Sequence, residues 1–436
     1  MEKQHKISIW TAILININIM IGTGIFFGPS MMAQKAGYAS YLSWPIVALI
    51  FLPVVLSIAM IARIFPGAGS FYVYAKNLIN PTMGFVNGWL YFLGYIGVSA
   101  LQTVLLRNII LNIVSKGLGI SIAPVWFNVI FITLVTLASF LSIKIVGRIQ
   151  NIGTILKLMP LLFVLAVFLF YLNPSLTLVS SEISQLPSVL PVALFGFWGF
   201  ECCCAISHLI EGKKSNASNA ILIAFFIITV VYTLFHFGLL NIMGPENLVK
   251  YGSQGVVNFM TLPVQIKAII SFFFELAVAL VFVVSIFSMF TTNSSTLYAL
   301  ASENLLPFSK HIKKLNKNHR PWVAILIQGV ITFLIVSVTA SKYALLSMVN
   351  LGILAAFFIT LVALFLLQKS KKQYAHILLT LLAFASCAIF AYFSWFDMGK
   401  THATRFLAMV PLLGAFVAGL CMYFYQKRKN KLMGVK

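Results

Sequence analysis

The chain has 436 residues, of which 61% are hydrophobic and only 9% are charged, against roughly 25% charged in a soluble domain. No soluble core hides that much apolar surface, so composition excludes an ordinary globular enzyme and points to a polytopic membrane protein. The formal charge of +22 invites a nucleic-acid or anionic-surface partner, and its distribution decides against nucleic acid, as set out below.

Apolar runs near the ~20 residues that cross ~30 Å of hydrocarbon recur about twelve times. They fall at 8–33, 40–62, 83–114, 124–143, 150–172, 185–209, 219–243, 267–299, 322–340, 343–367, 374–395 and 405–426. Several are longer than a straight crossing needs, which implies tilt or unwinding. The opening Met1-Glu2-Lys3-Gln4-His5-Lys6 lacks a small-residue cleavage site, so the first run is expected to be a retained helix.

That first run is interrupted by Ile21-Gly22-Thr23-Gly24-Ile25. Hydrocarbon offers no water to freed backbone groups, so a glycine-rich break belongs where it faces a cavity or other protein. Gly22 and Gly24 let the backbone unwind and approach a ligand without Cβ clashes. The half-helix beginning there presents free N–H groups and a positive dipole end to an anion. A substrate carboxylate at mid-membrane is the natural occupant, which implies a carrier of small carboxylate-bearing solutes. The alternative is that the glycines only let helices pack closely.

The sixth run carries a second interruption, Phe195-Gly196-Phe197-Trp198-Gly199-Phe200-Glu201, with two glycines, flanking aromatics and a carboxylate. Runs one and six correspond if residues 8–172 and 185–367 are two five-helix repeats of inverted topology, with 374–426 adding helices 11 and 12. An odd number of helices per repeat forces the two to insert in opposite senses. This correspondence rests on position, not on residue similarity between the halves. Paired breaks favour a binding site over packing. The connecting loops, longest at about 244–266 and 303–321, are too short to fold alone, so 1–436 reads as a single transmembrane domain.

Alternate loops hold 21 basic residues on one side and 8 on the other, with Lys157 left inside a run. This bias follows the positive-inside rule and places both termini of a multi-pass cell-membrane protein in the cytoplasm. It accounts for the charge without nucleic acid. The cysteines Cys202, Cys203, Cys204, Cys387 and Cys421 lie within runs and show no ligand spacing, so neither a disulfide framework nor a metal site is expected. Packing is the plain reading of the triple cysteine, a substrate-lining thiol the other.

Several motifs together resemble the amino acid–polyamine–organocation (APC) superfamily of amino acid permeases over most of residues 12–330. Ile21-Gly22-Thr23-Gly24-Ile25-Phe26 resembles its helix-one Gly-Ser-Gly-Ile-Phe motif. Phe65-Pro66-Gly67-Ala68-Gly69-Ser70-Phe71-Tyr72-Val73-Tyr74, with Gly84-Phe85 and Gly88-Trp89, resembles its helix 2–3 connection. Gln150-Asn151 through Lys157 resembles the start of helix five. Leu297-Tyr298-Ala299-Leu300-Ala301 with Leu305-Leu306-Pro307 and Pro321 resembles the helix 8–9 region. The chain departs from the pattern where Ser295 and Ser302-Glu303-Asn304 replace the usual arginine and Arg-Asp-Gly, and where Glu211–Ala220 lacks two prolines. Those departures bear on cytoplasmic gate interactions.

The resemblance implies an all-α fold of about twelve transmembrane helices, a LeuT-like 5+5 inverted repeat with discontinuous helices 1 and 6. It implies a secondary amino acid transporter of alternating access. The substrate carboxylate would meet N–H groups of Thr23 and Gly24, with the Thr23 hydroxyl as an added donor and Gly22 as part of the substrate-binding break. The ammonium would meet carbonyls freed near Met20, Phe195 and Trp198. Phe195 falls where related exchangers close an aromatic gate over substrate; a plain core or lipid-facing ring is the alternative. Lys157 falls where sodium-coupled relatives bind a cation, which disfavours sodium dependence; snorkelling to the interface is the alternative. Glu201, a carboxylate in mid-span, is a candidate for proton coupling or a structural acid bonded to a nearby amide or hydroxyl. Tyr95, Val98 and Met289 are expected to border the pocket, whose apolar character leans to a neutral amino acid. Amino acid exchange and proton symport stay open, as do an amino acid/polyamine antiporter and, from another class, an amino acid sensor without net transport. No phosphate-binding loop or nucleophile–base pair suggests an enzyme, no cofactor is implied, and oligomeric state is not readable.

Overall fold

A computed structural model describes residues 7–65, 70–170, 180–206, 210–213, 215–338 and 341–432. The Pro66–Gly69 part of the helix 2–3 motif lies outside them. Among the described residues the chain is all helical, apart from turns and one isolated parallel bridge between Ile7 and Ile210. Apolar sequence surrounded by hydrocarbon leaves the backbone only internal partners, which is why long helices dominate.

In chain order the helices are α1 (Ile9–Met20), α2 (Thr23–Ala36), α3 (Ser43–Ile64), α4 (Ser70–Leu78), α5 (Pro81–Leu118), α6 (Pro124–Ala138) and α7 (Ile143–Phe170). There follow α8 (Ser180–Ser184), α9 (Leu190–Phe197), α10 (Cys203–Ile206), α11 (Ser215–Tyr251), α12 (Val264–Ser302) and α13 (Ser309–Ile312). The last four are α14 (Trp322–Val338), α15 (Lys342–Ser370), α16 (Tyr374–Asp397) and α17 (His402–Leu432). Each of the twelve apolar runs carries helix. Among the described residues, eight segments are long and apolar enough to cross a membrane, and four shorter apolar helices add to them. Helix ends follow local chemistry. Ser8 caps α1 by accepting from Thr11 N–H, and Asn80 caps α5 ahead of Pro81 at its first turn. Gly119 closes α5 in the left-handed region at φ 66°.

Both expected interruptions are present. α1 stops at Met20, Ile21 and Gly22 leave helical geometry, and α2 starts at Thr23. α9 stops at Phe197, Trp198 is extended, and Gly199 sits at φ 103°, a region that disfavours any side chain.

The chain packs as two compact units. The first takes the described residues of Met1–Pro66 and Gln150–Ser285, the second those of Gly67–Ile149 and Ile286–Lys436. The first unit therefore holds α1 to α3, most of α7, α8 to α11 and the start of α12. An aromatic cluster fills its centre, where Trp44 meets Tyr232 and Phe197 edge-on and Phe51 meets Trp198 and Phe200.

The second unit is organised by α5 against α15. A Cβ on Gly94 would lie 2.6 Å from Ile353 Cγ1, one on Gly97 2.8 Å from Val349 Cγ2, and one on Gly352 3.4 Å from Gly94 Cα. Small residues let two backbones approach where hydrocarbon gives no hydrophobic drive to associate. Buried amides complete the contact, Asn87 donating to the Phe71 carbonyl and Thr360 hydroxyl and Asn293 to the Phe92 carbonyl. Glu303, in the segment that departs from the family pattern, pairs with Lys76 at 2.9 Å. The hydrogen bond to Glu303 holds the Lys76 ammonium above the ordinary lysine range. A raised lysine pKa contributes fully below the ordinary lysine value and is lost only as pH rises through the raised one.

Two outcomes follow from the packing. Gly94→Val should lower thermal stability in detergent by about 1–3 kcal/mol, the range for overpacking. Lys76→Gln should change stability at pH 7 by less than ~1 kcal/mol, as expected of an exposed pair, with the difference from the parent unchanged between pH 7 and 9.

Candidate functional site

The site is built from the two breaks, both within the first unit. At the end of α1, three carbonyls are taken individually, the first by its regular helical partner and the other two by side chains. The Ile17 carbonyl accepts from Ile21 N–H at 2.9 Å, the Asn18 carbonyl from Lys157 Nζ at 3.3 Å, and the Met20 carbonyl from the Tyr232 hydroxyl at 2.6 Å. Across the gap, α2 opens at Thr23 with Gly22 as its cap residue and no side-chain cap. Its first N–H groups have no partner in their own helix. The Thr23 hydroxyl, fully buried, also has no hydrogen-bond partner.

At the second break the chain turns on itself. Trp198 N–H reaches the Phe195 carbonyl at 3.4 Å, Phe200 N–H the Phe197 carbonyl at 3.3 Å, and Gly199 N–H the Glu201 carboxylate at 3.2 Å. Cys203 N–H donates to the Asn16 side-chain carbonyl at 3.1 Å, joining this segment to α1. A Cβ on Gly199 would lie 2.5 Å from Ile19 Cγ2, so the two breaks touch.

They touch again on the other side. A Cβ on Gly24 would lie 2.7 Å from Gly196 Cα, and one on Gly196 would lie 2.6 Å from the Trp44 ring. The start of α2 thus lies backbone to backbone on the end of α9, with Trp44 beneath. Trp44 is itself fixed, its indole N–H donating to His236 Nδ1 at 3.1 Å. Since Nδ1 accepts, a neutral His236 carries its hydrogen on Nε2 and donates to Ser40 Oγ (3.1 Å), which in turn donates to the Gly37 carbonyl at 2.6 Å. Gly24 and Gly196 are therefore required for close approach whether or not a ligand is bound. Loss of function in Gly24→Leu would report this contact as much as a carboxylate site.

The first unit brings together Met20, Gly22, Thr23, Gly24, Phe195, Trp198, Lys157 and Glu201. Phe195 and Trp198 are buried, and the Phe195 ring lies 3.6 Å from the position of a Gly24 Cβ. Lys157 lies fourteen residues beyond the start of α7 at Ile143, about four turns rather than the two that the apolar run implies. It is 1% exposed and reaches inward to Asn18, so its stem does not snorkel to the interface. Glu201 is equally buried, and its carboxylate accepts from Gly199 N–H at 3.2 Å. Tyr95, Val98 and Met289 are buried in the second unit, with the Met289 carbonyl accepting from Gln328 at 3.4 Å.

The family profile described as "Amino acid permease" matches residues 7–417. The chain belongs to the amino acid permease family. Its members are transporters, and the multi-pass helical architecture follows suit. Among curated relatives, this permease is 23% identical to the serine/threonine exchanger SteT of Bacillus subtilis, with 98% of each chain covered. It is 24% identical to the branched-chain amino acid permease BcaP of the same organism, covering 96% of this chain and 92% of the relative. The gamma-aminobutyric acid permease of that organism is also 24% identical, over 72% of this chain and 68% of the relative.

Sequence reasoning missed the groups that hold the breaks in place, namely Tyr232, Asn16, Trp44 and His236. Asn16 and His236 did carry a signal, being polar residues inside apolar runs, where such groups are expensive and serve a purpose. Tyr232 and Trp44 carried none. Tyr232→Phe should lower thermal stability by about 1–3 kcal/mol, because it strips the buried Met20 carbonyl of a donor. Unchanged melting would show that water or the chain replaces the hydroxyl at once.

Proposed function

We propose that the chain is a secondary amino acid transporter that grips the zwitterion at the two breaks and exposes it alternately to either side of the cell membrane. The observation that carries the reading is Thr23, a fully buried hydroxyl with no partner at the uncapped start of α2. An anion placed there satisfies the hydroxyl, the free N–H groups of the first turn and the dipole together. The substrate carboxylate takes Gly22, Thr23 and Gly24. The ammonium takes the remaining lone pairs of the Met20, Phe195 and Trp198 carbonyls, since each carbonyl has two.

Phe195, beside Gly24, is the aromatic gate of this reading. Lys157 supplies the positive charge that sodium would otherwise bring near the end of α1, which supports sodium independence. Glu201 is the remaining candidate for proton coupling. Relatives named for serine/threonine exchange and for branched-chain amino acids are in keeping with a neutral substrate. The former name supports exchange as the mode. The proposed repeats are 8–172 and 185–367, with 374–426 following, and both termini lie in the cytoplasm by the charge bias.

Thr23→Val separates ligand from fold. It removes an unsatisfied buried hydroxyl without changing volume, so melting in the absence of ligand should hold or rise. Affinity for the transported amino acid should fall about tenfold, the order of one lost hydrogen bond. Binding that is unchanged in Thr23→Val would remove the hydroxyl from the site. Proteoliposomes settle the mode: uptake of labelled neutral amino acids that needs internal amino acid means exchange, and uptake into empty vesicles driven by a pH gradient means symport. Saturable binding with no flux in either arrangement would replace transport by sensing.

A further inference from the structure

The second unit contains a groove that the transport reading does not use. It encloses about 490 Å³, within the ~300–1,000 Å³ of small-molecule sites. It runs along α14 from Ile327 to Val338 and along α17 from Pro411 to Met422, backed by Trp89 of α5 and Leu297 of α12. Every lining side chain is apolar, whereas sites for polar solutes carry a few convergent polar groups. Eleven residues of helix rise about 16 Å, close to half of the ~30 Å hydrocarbon core, the depth of one leaflet.

One end differs in character. There the floor is Leu306, Pro307 and Ile312, and Ile312 closes α13, whose neighbours Lys310 and Lys314 are exposed. The end of α17 is tied to the same place, since Asn430 Nδ2 donates to the Asn304 carbonyl at 3.0 Å and Lys313 Nζ to the Asn304 side chain at 3.3 Å. Exposed Arg428, Lys429 and Lys431 flank Asn430 on the last turns of α17. The nearby carboxylate, Glu303, is taken by Lys76.

We propose that this groove holds one acyl chain of an anionic glycerophospholipid, with its phosphate among Lys310, Lys314 and Arg428. Apolar length matches a single chain, and the basic mouth selects an anionic over a zwitterionic headgroup. A lipid so placed bridges α14 and α17.

The test exposes the purified protein to an equimolar mixture of phosphatidylglycerol and phosphatidylcholine and counts retained lipid by native mass spectrometry. Retention of one phosphatidylglycerol is expected at about fivefold or more over phosphatidylcholine, the factor that a single cation supplies. Ala418→Trp, which fills the groove from α17, should abolish that retention. The triple variant Lys310→Gln, Lys314→Gln, Arg428→Gln leaves the groove open and should retain the two lipids equally, so it decides the matter if Ala418→Trp fails to fold. Equal retention by the parent chain, or unchanged preference in either variant, overturns the proposal. So does a dimer in detergent that Ala418→Trp dissociates, because the face is then an interface between two copies.

Discussion

A broken helix inside hydrocarbon must find partners for every backbone group it frees, and this requirement governs the first unit. Polar side chains within the apolar spans go to meet it. Lys157 reaches from α7 to the Asn18 carbonyl, Tyr232 from α11 to the Met20 carbonyl, Glu201 to Gly199 N–H, and Asn16 to Cys203 N–H. Four groups from four parts of the chain converge on two interruptions. The break is thus a built feature, held from several sides, rather than a region of weak helix. Among the described residues, the buried side-chain atoms at the first break left without a hydrogen-bond partner are Asn16 Nδ2, Asn18 Oδ1 and the Thr23 hydroxyl, and only the last stands at the uncapped start of α2.

Close approach imposes a second constraint on the same place. Gly24 against Gly196, and Gly199 against Ile19, allow the two interruptions to lie in contact. The same device recurs in the second unit with Gly94, Gly97 and Gly352. In a bilayer, where burial of apolar groups from water is not available to hold helices together, missing Cβ atoms are a principal means of doing so. Glycine here therefore serves two ends at once, freeing the backbone to unwind and letting a neighbour come near.

Much of the architecture is legible in the sequence because hydrocarbon enforces it. The twelve runs, and interruptions at 21–25 and 195–201, follow from apolar length and from glycines where a crossing should be continuous. Helix ends were less legible: the fifth run begins at 150 by hydropathy, but its helix starts at Ile143, which moves Lys157 deeper. Polar residues at a helix start do not register in an apolar window. Least legible were the partners of the breaks. Tyr232 looks like any aromatic in an apolar span, and only its position opposite Met20 gives it a task. The division into two units that each draw on separate stretches of sequence also leaves no trace in composition, since it depends on which helices meet.

The short bridge at the beginning of the chain has mechanical meaning. Glu211 N–H donates to the Ile7 carbonyl at 2.9 Å, and nine residues further along Asn16 fastens to Cys203. One fastener sits just ahead of α1 and the other within it, so α1 is tied both to Glu211 and to Cys203 beyond the second break. A tilt of α1 that breaks the second fastener strips the buried Cys203 amide of its partner where hydrocarbon offers no substitute.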